Sequence, residues 1–322
     1  MLFKAVAGWV TANYFLNILK IKNMKQKFFF AGLILLFAAC SKESINVVDN
    51  AQTEETTTAP VRVHVSNFAV EMGDFPAATR TAQNVGNYDG VKAITLAFYK
   101  GETEVYKHEQ VRGQLEEGET FGEFSTTLPL GSYKMVVIAR GLGDGDVFTL
   151  TSPTEAAYTG NSRETFAYTQ EVNITNGDAV DLNATLNRII AMLGVISSDG
   201  RTAEATNVRM TFSAGGKSFD PTTGLAIVNT GFAITAPIST AVGAVTSSGT
   251  YVFLASNEQT MDVTIETLDS EGNAIFSKTV QNVPFKRNRR TILTGAMYTN
   301  EAASTSSFKL ETGWLADHND NF

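Results

Sequence analysis

Few side chains in this 322-residue chain are placed where they could do chemistry. There is one cysteine, Cys40, and there are three histidines, His64, His108 and His318. A lone thiol cannot close an internal disulfide. Without paired Cys or His, a transition-metal site has few ligands to draw on. His64 alternates with valines and reads as the solvent side of a strand, His108 sits between Lys107 and Glu109 and reads likewise, and His318 lies in an acidic tail. The glycine-rich stretch 141–146 (GLGDGD) contains no lysine and precedes no helical pattern. It is therefore a loop and not a phosphate cradle. Asp144 and Asp146 offer oxygens to calcium, but their spacing fits no EF-hand loop. Gly-x-Ser-x-Gly, His-Glu-x-x-His and Walker A patterns are all absent. Glu116 and Glu117 fall in a turn, where carboxylates are solvated, and nothing pairs them across a cleft as glycoside hydrolysis requires. The basic run Lys286-Arg287-Asn288-Arg289-Arg290 reads as a solvated turn leading into the last long strand. The expectation is a protein that is not an enzyme, with no metal and no soluble cofactor.

The position of Cys40 gives its thiol a role. Residues 24–27 (MKQK) are basic, residues 28–37 (FFFAGLILLF) are apolar, and Ala38-Ala39 precede the cysteine. Basic, apolar and small, in that order, make a secretory signal peptide over residues 24–39. Ten apolar residues are too few to span a bilayer, which takes about 20. A cysteine directly after the small residues resembles the lipobox of bacterial lipoproteins, in which that cysteine becomes the first mature residue and carries the acyl chains; Phe37 stands where leucine is usual. Cys40 is thus the expected lipidation site, and the covalent lipid is the only attached group expected. Residues 1–23 precede a complete signal peptide with its own Met24. They are either a start codon assigned too early or a long n-region.

The elements that would follow such an anchor are strands. Residues 1–40 hold five lysines and no acid; taking these from the chain's 25 basic residues leaves 20 against 33 acidic ones, a net charge of −13 for the mature part. Such a surface argues against nucleic acid and anionic lipid as partners. Residues 40–60 are the acylated cysteine and a polar, Thr-rich tether; Ser41-Lys42-Glu43 resembles the charged export tags of Bacteroides-type surface lipoproteins. From Val61 the period changes to two: Val61, Val63 and Val65 alternate with Arg62, His64 and Ser66. Further strands are predicted over 91–99, 104–111, 121–128, 133–140, 168–174 and 179–187, then over 207–212, 251–255, 261–268, 274–280, 290–298 and 307–314. Residues 186–196 are apolar enough for either a buried strand or one short helix, and residues 269–273 (DSEGN) form a hairpin turn. Short strands at regular spacing, with no long amphipathic helix, predict an all-β chain of two tandem β-sandwich domains, 61–187 and 188–322.

Three features taken together resemble one family. They are the lipoprotein start with its acidic tether, the segment Leu186-Asn187-Arg188-Ile189-Ile190-Ala191, and the segment Val283-Pro284-Phe285-Lys286-Arg287-Asn288-Arg289-Arg290-Thr291-Ile292-Leu293-Thr294-Gly295. They are similar to the Arg-x-x-Ala and basic-Asn-basic-Thr-x-Leu-x-Gly segments of the fimbrillin-like surface lipoproteins of Bacteroidetes (FimA, FimB, Mfa1 and Mfa2 types). The resemblance covers essentially the whole mature chain. It implies two transthyretin-like or Ig-like β-sandwiches and a stalk, tip or anchor role in a fimbria at the outer membrane, with a part in adhesion. Partners would be other fimbrial subunits and a host or bacterial surface ligand. In that family a protease cuts after an arginine beyond the first strand, and the released strand leaves a groove that a neighbour's strand fills. Arg80, in the loop after strand 61–70, matches that position; it also reads as an ordinary loop residue. Val61, Val63 and Val65 would mark the exchanged strand, and Phe308, Leu310 and Trp314 a donated one, or an ordinary edge strand of the second domain. A monomeric surface lipoprotein that binds glycan or host protein through its loops is the alternative.

Overall fold

The computed structural model describes residues 56–68, 84–299 and 309–311. Strands dominate, with one turn of 3-10 helix at Val85–Asn87. The first half holds β1 (Thr58–Phe68), β2 (Ala93–Lys100), β3 (Thr103–Val111), β4 (Glu123–Pro129), β5 (Gly131–Arg140), β6 (Val147–Ser152), β7 (Glu155–Thr159), β8 (Thr165–Ile174) and β9 (Val180–Arg188). The second holds β10 (Ala191–Ser197), β11 (Asn207–Phe212), β12 (Ser218–Asp220), β13 (Leu225–Ala226), β14 (Phe232–Pro237), β15 (Ser247–Val252), β16 (Glu258–Leu268), β17 (Ala274–Lys286), β18 (Arg290–Gly295) and β19 (Lys309–Glu311). The all-β expectation holds. Residues 186–196, left open between strand and helix, are the end of β9 and the whole of β10 but for its last residue, separated by Ile189-Ile190.

Seven strands of the first half run in the order β3-β2-β5-β8-β9-β1-β4. β8 and β9 meet only at Phe166↔Arg188 and Ala167↔Asn187. The two ends of the sheet share one core: Val61, Val63 and Phe124 from one end pack with Leu96, Phe98 and Val137 from the other. The second half has two four-stranded sheets, β15-β10-β18-β19 and β14-β11-β16-β17. Leu193 and Leu293 of the first meet Met210, Val263 and Ile265 of the second in a separate core.

The sequence pattern missed β6, β7, β12, β13 and β14. Four of these form a sheet of their own, β13-β12-β7-β6, in which β7 of the first half pairs with β12 of the second. This sheet explains the apolar runs of β2 and β5. Strands covered on one face alternate, whereas strands covered on both read as continuous apolar runs. Leu96, Phe98 and Val137 face the sandwich core, while Ala97, Tyr99, Val136 and Ile138 face Tyr158, Phe219 and Phe253 in a third core.

One cross-strand pair ties the fold to pH. Arg209 on β11 stands opposite Glu266 on β16, its Nε and Nη2 donating to the two carboxylate oxygens at 2.6 and 2.8 Å. The guanidinium hydrogen bonds hold the Glu266 carboxyl below its ordinary value of 4.5. The unfolded chain therefore takes up the proton first. The stabilisation is present above the unfolded pKa and is lost as pH falls through the lower folded one. Urea midpoints measured from pH 7 to pH 3 should fall less steeply for Glu266→Gln than for the parent chain. Equal slopes would mean the pair adds nothing.

Candidate functional site

β1 enters the first half between two strands. It runs antiparallel to β4, with Val61 opposite Thr126 and Val63 opposite Phe124, and parallel to β9, with Val61 opposite Val180 and Val63 opposite Leu182. Its alternation puts Ala59, Val61, Val63 and Val65 into the core. The register against β9 shifts between His64 and Asn67. That irregularity adds a residue to the outward run and turns Phe68 back inward, where its ring lies 4.6 Å from that of Phe166. Val65 N–H donates to Gly122 O at 2.8 Å. A Cβ on Gly122 would sit 2.8 Å from Val65 O, and its φ is +91°, so only glycine serves there. The strand begins at Thr58, inside the stretch read from sequence as tether.

The residues singled out from sequence are thus placed as follows. Val61, Val63 and Val65 are buried together on one face of β1. Leu310 lies in β19, opposite Leu293 at the edge of the β15-β10-β18-β19 sheet. Cys40, Arg80, Phe308 and Trp314 lie outside the described residues. His64 is half-exposed and pairs with Glu123 across β1 and β4. His108 bonds Glu119 at 2.6 Å. Asp146 is engaged by Arg163 and by Asn161 N–H. Among the described residues no three His, Cys, Asp or Glu side chains converge to hold a metal.

The two segments that carried the family resemblance meet each other. Arg188 closes β9, and its guanidinium reaches Glu164 at 2.7 Å through Nη2 and 2.8 Å through Nε. Both side chains are nearly fully buried, at 3% and 8% exposure. Tyr88 donates to the same carboxylate, lying 2.8 and 2.9 Å from its oxygens. Burial first and the Glu164 charge second push the Tyr88 hydroxyl well above the usual tyrosine range, so it remains a donor. Arg188 Nη1 also donates to Asn288 Oδ1 at 2.8 Å. Asn288 has a φ of +59°, a left-handed conformation that asparagine tolerates better than most residues. Its N–H donates to Ile190 O at 3.0 Å, and Met192 N–H donates to Arg289 O at 3.0 Å. The basic run is therefore more than the solvated turn expected: its centre clamps the crossing from β9 to β10. The signal that could have found this was an asparagine flanked by arginines. Its partner, Arg188, is 100 residues away.

A cavity of about 630 Å³ opens beside this clamp. Tyr168 and Asn187 line it from the first half, and Thr222, Thr223, Arg287 and Arg289 from the second. Arg287 donates to Thr223 O at 2.7 Å and Arg289 to Asn288 O at 3.1 Å. Lys286 at the rim pairs with Glu258 at 2.7 Å.

Among solved structures the chain is similar to the fimbrial anchor protein Mfa2 from Porphyromonas gingivalis. Identity is 12% over 79% of this chain and 96% of that one, with a TM-score of 0.48. It is also similar to a candidate adhesin from Bacteroides ovatus, at 12% identity over 81% and 96% of the two chains and a TM-score of 0.47. A third similar structure is the tip fimbrial protein Mfa3 from P. gingivalis with C-terminal truncation, at 12% identity over 79% and 98% and a TM-score of 0.37. No curated protein matches the chain. Residues 52–318 match the model of DUF6562, described as a family of unknown function, and the chain belongs to that family.

Proposed function

We propose that this chain is a structural subunit of a cell-surface fimbria, exported as a lipoprotein through Cys40 and assembled by exchange of a β-strand. The observation that carries the reading is the placement of β1. It is the first strand among the described residues, it is flanked on both sides, and it buries five apolar side chains. Its apolar burial contributes on the order of 10 kcal/mol as an upper figure. Removing it would leave the facing edges of β9 and β4 without hydrogen-bond partners. Such a strand does not leave unaided, but an equivalent strand can replace it at little net cost, which is the physics of sheet augmentation. A cut after Arg80 would free the segment containing β1 together with the lipid. The anchor on Cys40 is then temporary in a polymerising subunit and retained in a basal one.

A repeated arrangement supports reading the two halves as tandem transthyretin-like sandwiches, 61–187 and 188–322. β10 lies between antiparallel β15 and parallel β18, as β1 lies between antiparallel β4 and parallel β9. On this reading the segment Phe308–Trp314, which includes Leu310, is the donor. Purified chain treated with an arginine-specific protease should form SDS-resistant ladders, and Arg80→Ala should remain a single band. A chain that stays monomeric after cleavage, and is unchanged by deletion of residues 308–322, would rule the reading out. The cavity lined by Arg287 and Arg289 favours a second reading, a monomeric surface lipoprotein that binds a ligand.

A further inference from the structure

We propose that the cavity between β8–β9 and the 286–289 turn binds an acidic saccharide, one bearing carboxylate or sulfate groups. The inference is independent of fimbrial assembly. It rests on charge, rigidity and lining.

The charge is local, and that of two arginines is uncompensated among the described residues. The whole chain has a net charge of −8, yet this cavity gathers Arg188, Lys286, Arg287 and Arg289. Glu164 neutralises Arg188 and Glu258 pairs with Lys286. Among the described residues the guanidinium groups of Arg287 and Arg289 bond only the main-chain oxygens of Thr223 and Asn288, and no carboxylate pairs with either. Each guanidinium has five donors in a planar fork, so most remain for a ligand. A fork of that shape fits the paired oxygens of a carboxylate or sulfate.

The two arginines are held in place before any ligand arrives. Arg287 N–H donates to Asn257 O at 2.8 Å, and Asn288 and Arg289 are tied to Ile190 and Met192 by main-chain hydrogen bonds. The Asn288 side chain is fixed by Arg188. Little ordering entropy remains to be lost on binding, which favours affinity.

The rest of the lining fits a sugar better than an acidic peptide. Asn187, Asn257, Thr222 and Thr223 are exposed and present carboxamide and hydroxyl groups that exchange hydrogen bonds with sugar hydroxyls. The half-buried Tyr168 supplies an aromatic wall. The volume lies within the range of small-ligand sites.

Isothermal titration of the full chain at low salt tests this, with oligogalacturonate, heparin oligosaccharide, maltohexaose and oligoglutamate as probes. Binding of at least one acidic saccharide is expected, with neutral maltohexaose and the peptide at least about tenfold weaker. The uronate and sulfate arms tell the two anionic groups apart. Arg287→Gln with Arg289→Gln should weaken binding at least about tenfold, the size expected for losing charge-assisted hydrogen bonds. Should that double variant melt early, Asn257→Asp serves instead: it adds a negative charge at the same wall, removes no arginine, and should also weaken binding. The proposal is overturned if no probe binds, if maltohexaose or oligoglutamate binds as well as the acidic saccharides, or if the folded variants bind like the parent.

Discussion

Arg188→Met should destabilise the fold by about 3–5 kcal/mol, the cost of leaving a buried charge without its partner. Arg188 and Glu164 are both shielded from water, and the guanidinium approaches one carboxylate oxygen through two nitrogens. Removing it leaves Glu164 with the Tyr88 hydroxyl as its remaining partner. A carboxylate so placed must take up a proton or draw in water, and either costs stability. The loss also removes the Arg188 donor to Asn288 Oδ1 and the guanidinium that sits 5.0 Å from the ring centroid of Phe166. Glu164→Gln in the Arg188→Met background should recover part of the loss, because no buried carboxylate then lacks a partner. Chemical denaturation of the parent, both single variants and the double variant gives the coupling directly. A loss below about 1 kcal/mol for Arg188→Met would show that the pair is solvated in solution and the clamp is not structural.

Phe219→Ala is the second large effect, about 3–5 kcal/mol for a fully buried phenylalanine. Phe219 has no exposed surface, and its ring stacks on that of Phe253 at 4.3 Å with 18° between planes. The ring of Phe148 lies 6.4 Å from that of Phe219 with 25° between planes. These rings fill the third core, under the sheet in which β7 pairs with β12. That core holds side chains from both halves, Ile138 and Tyr158 from one and Phe219 and Phe253 from the other. It therefore couples the cores of the two halves. The parent should melt in one calorimetric transition and Phe219→Ala in two, the halves having lost what joins them. A single transition that merely shifts to lower temperature would mean the halves are joined chiefly by the Arg188–Asn288 clamp.

Both expectations come from features that period-two reading cannot see. Alternation revealed β1, β11 and most of the longer strands, because a strand with one wet face repeats every two residues whatever it packs against. β6, β7, β12, β13 and β14 escaped. They are short and rich in Thr, Ala and Ser, and β12 pairs on one side with β13, its neighbour in a local hairpin, and on the other with β7 some 60 residues earlier. Nothing local to Ser218-Phe219-Asp220 points to β7.

The basic run shows the same division. Its composition was plain, and charge alone suggested solvent. Asn288 is instead the acceptor for a buried arginine, and Arg287 and Arg289 are held at a cavity wall by main-chain hydrogen bonds.

What the sequence determined by itself was whatever depends on local order. The basic, apolar and small order before Cys40 reads as a targeting signal from local sequence alone, and the alternating valines of β1 make a strand buried on one face. What only the tertiary structure decided was partnership: that β1 lies between β9 and β4, that a fourth sheet joins the halves, and that Arg188 meets Asn288. Each of these is a contact between residues far apart in the chain. Such contacts are selected by burial and hydrogen-bond satisfaction in three dimensions, and no single stretch of sequence encodes them.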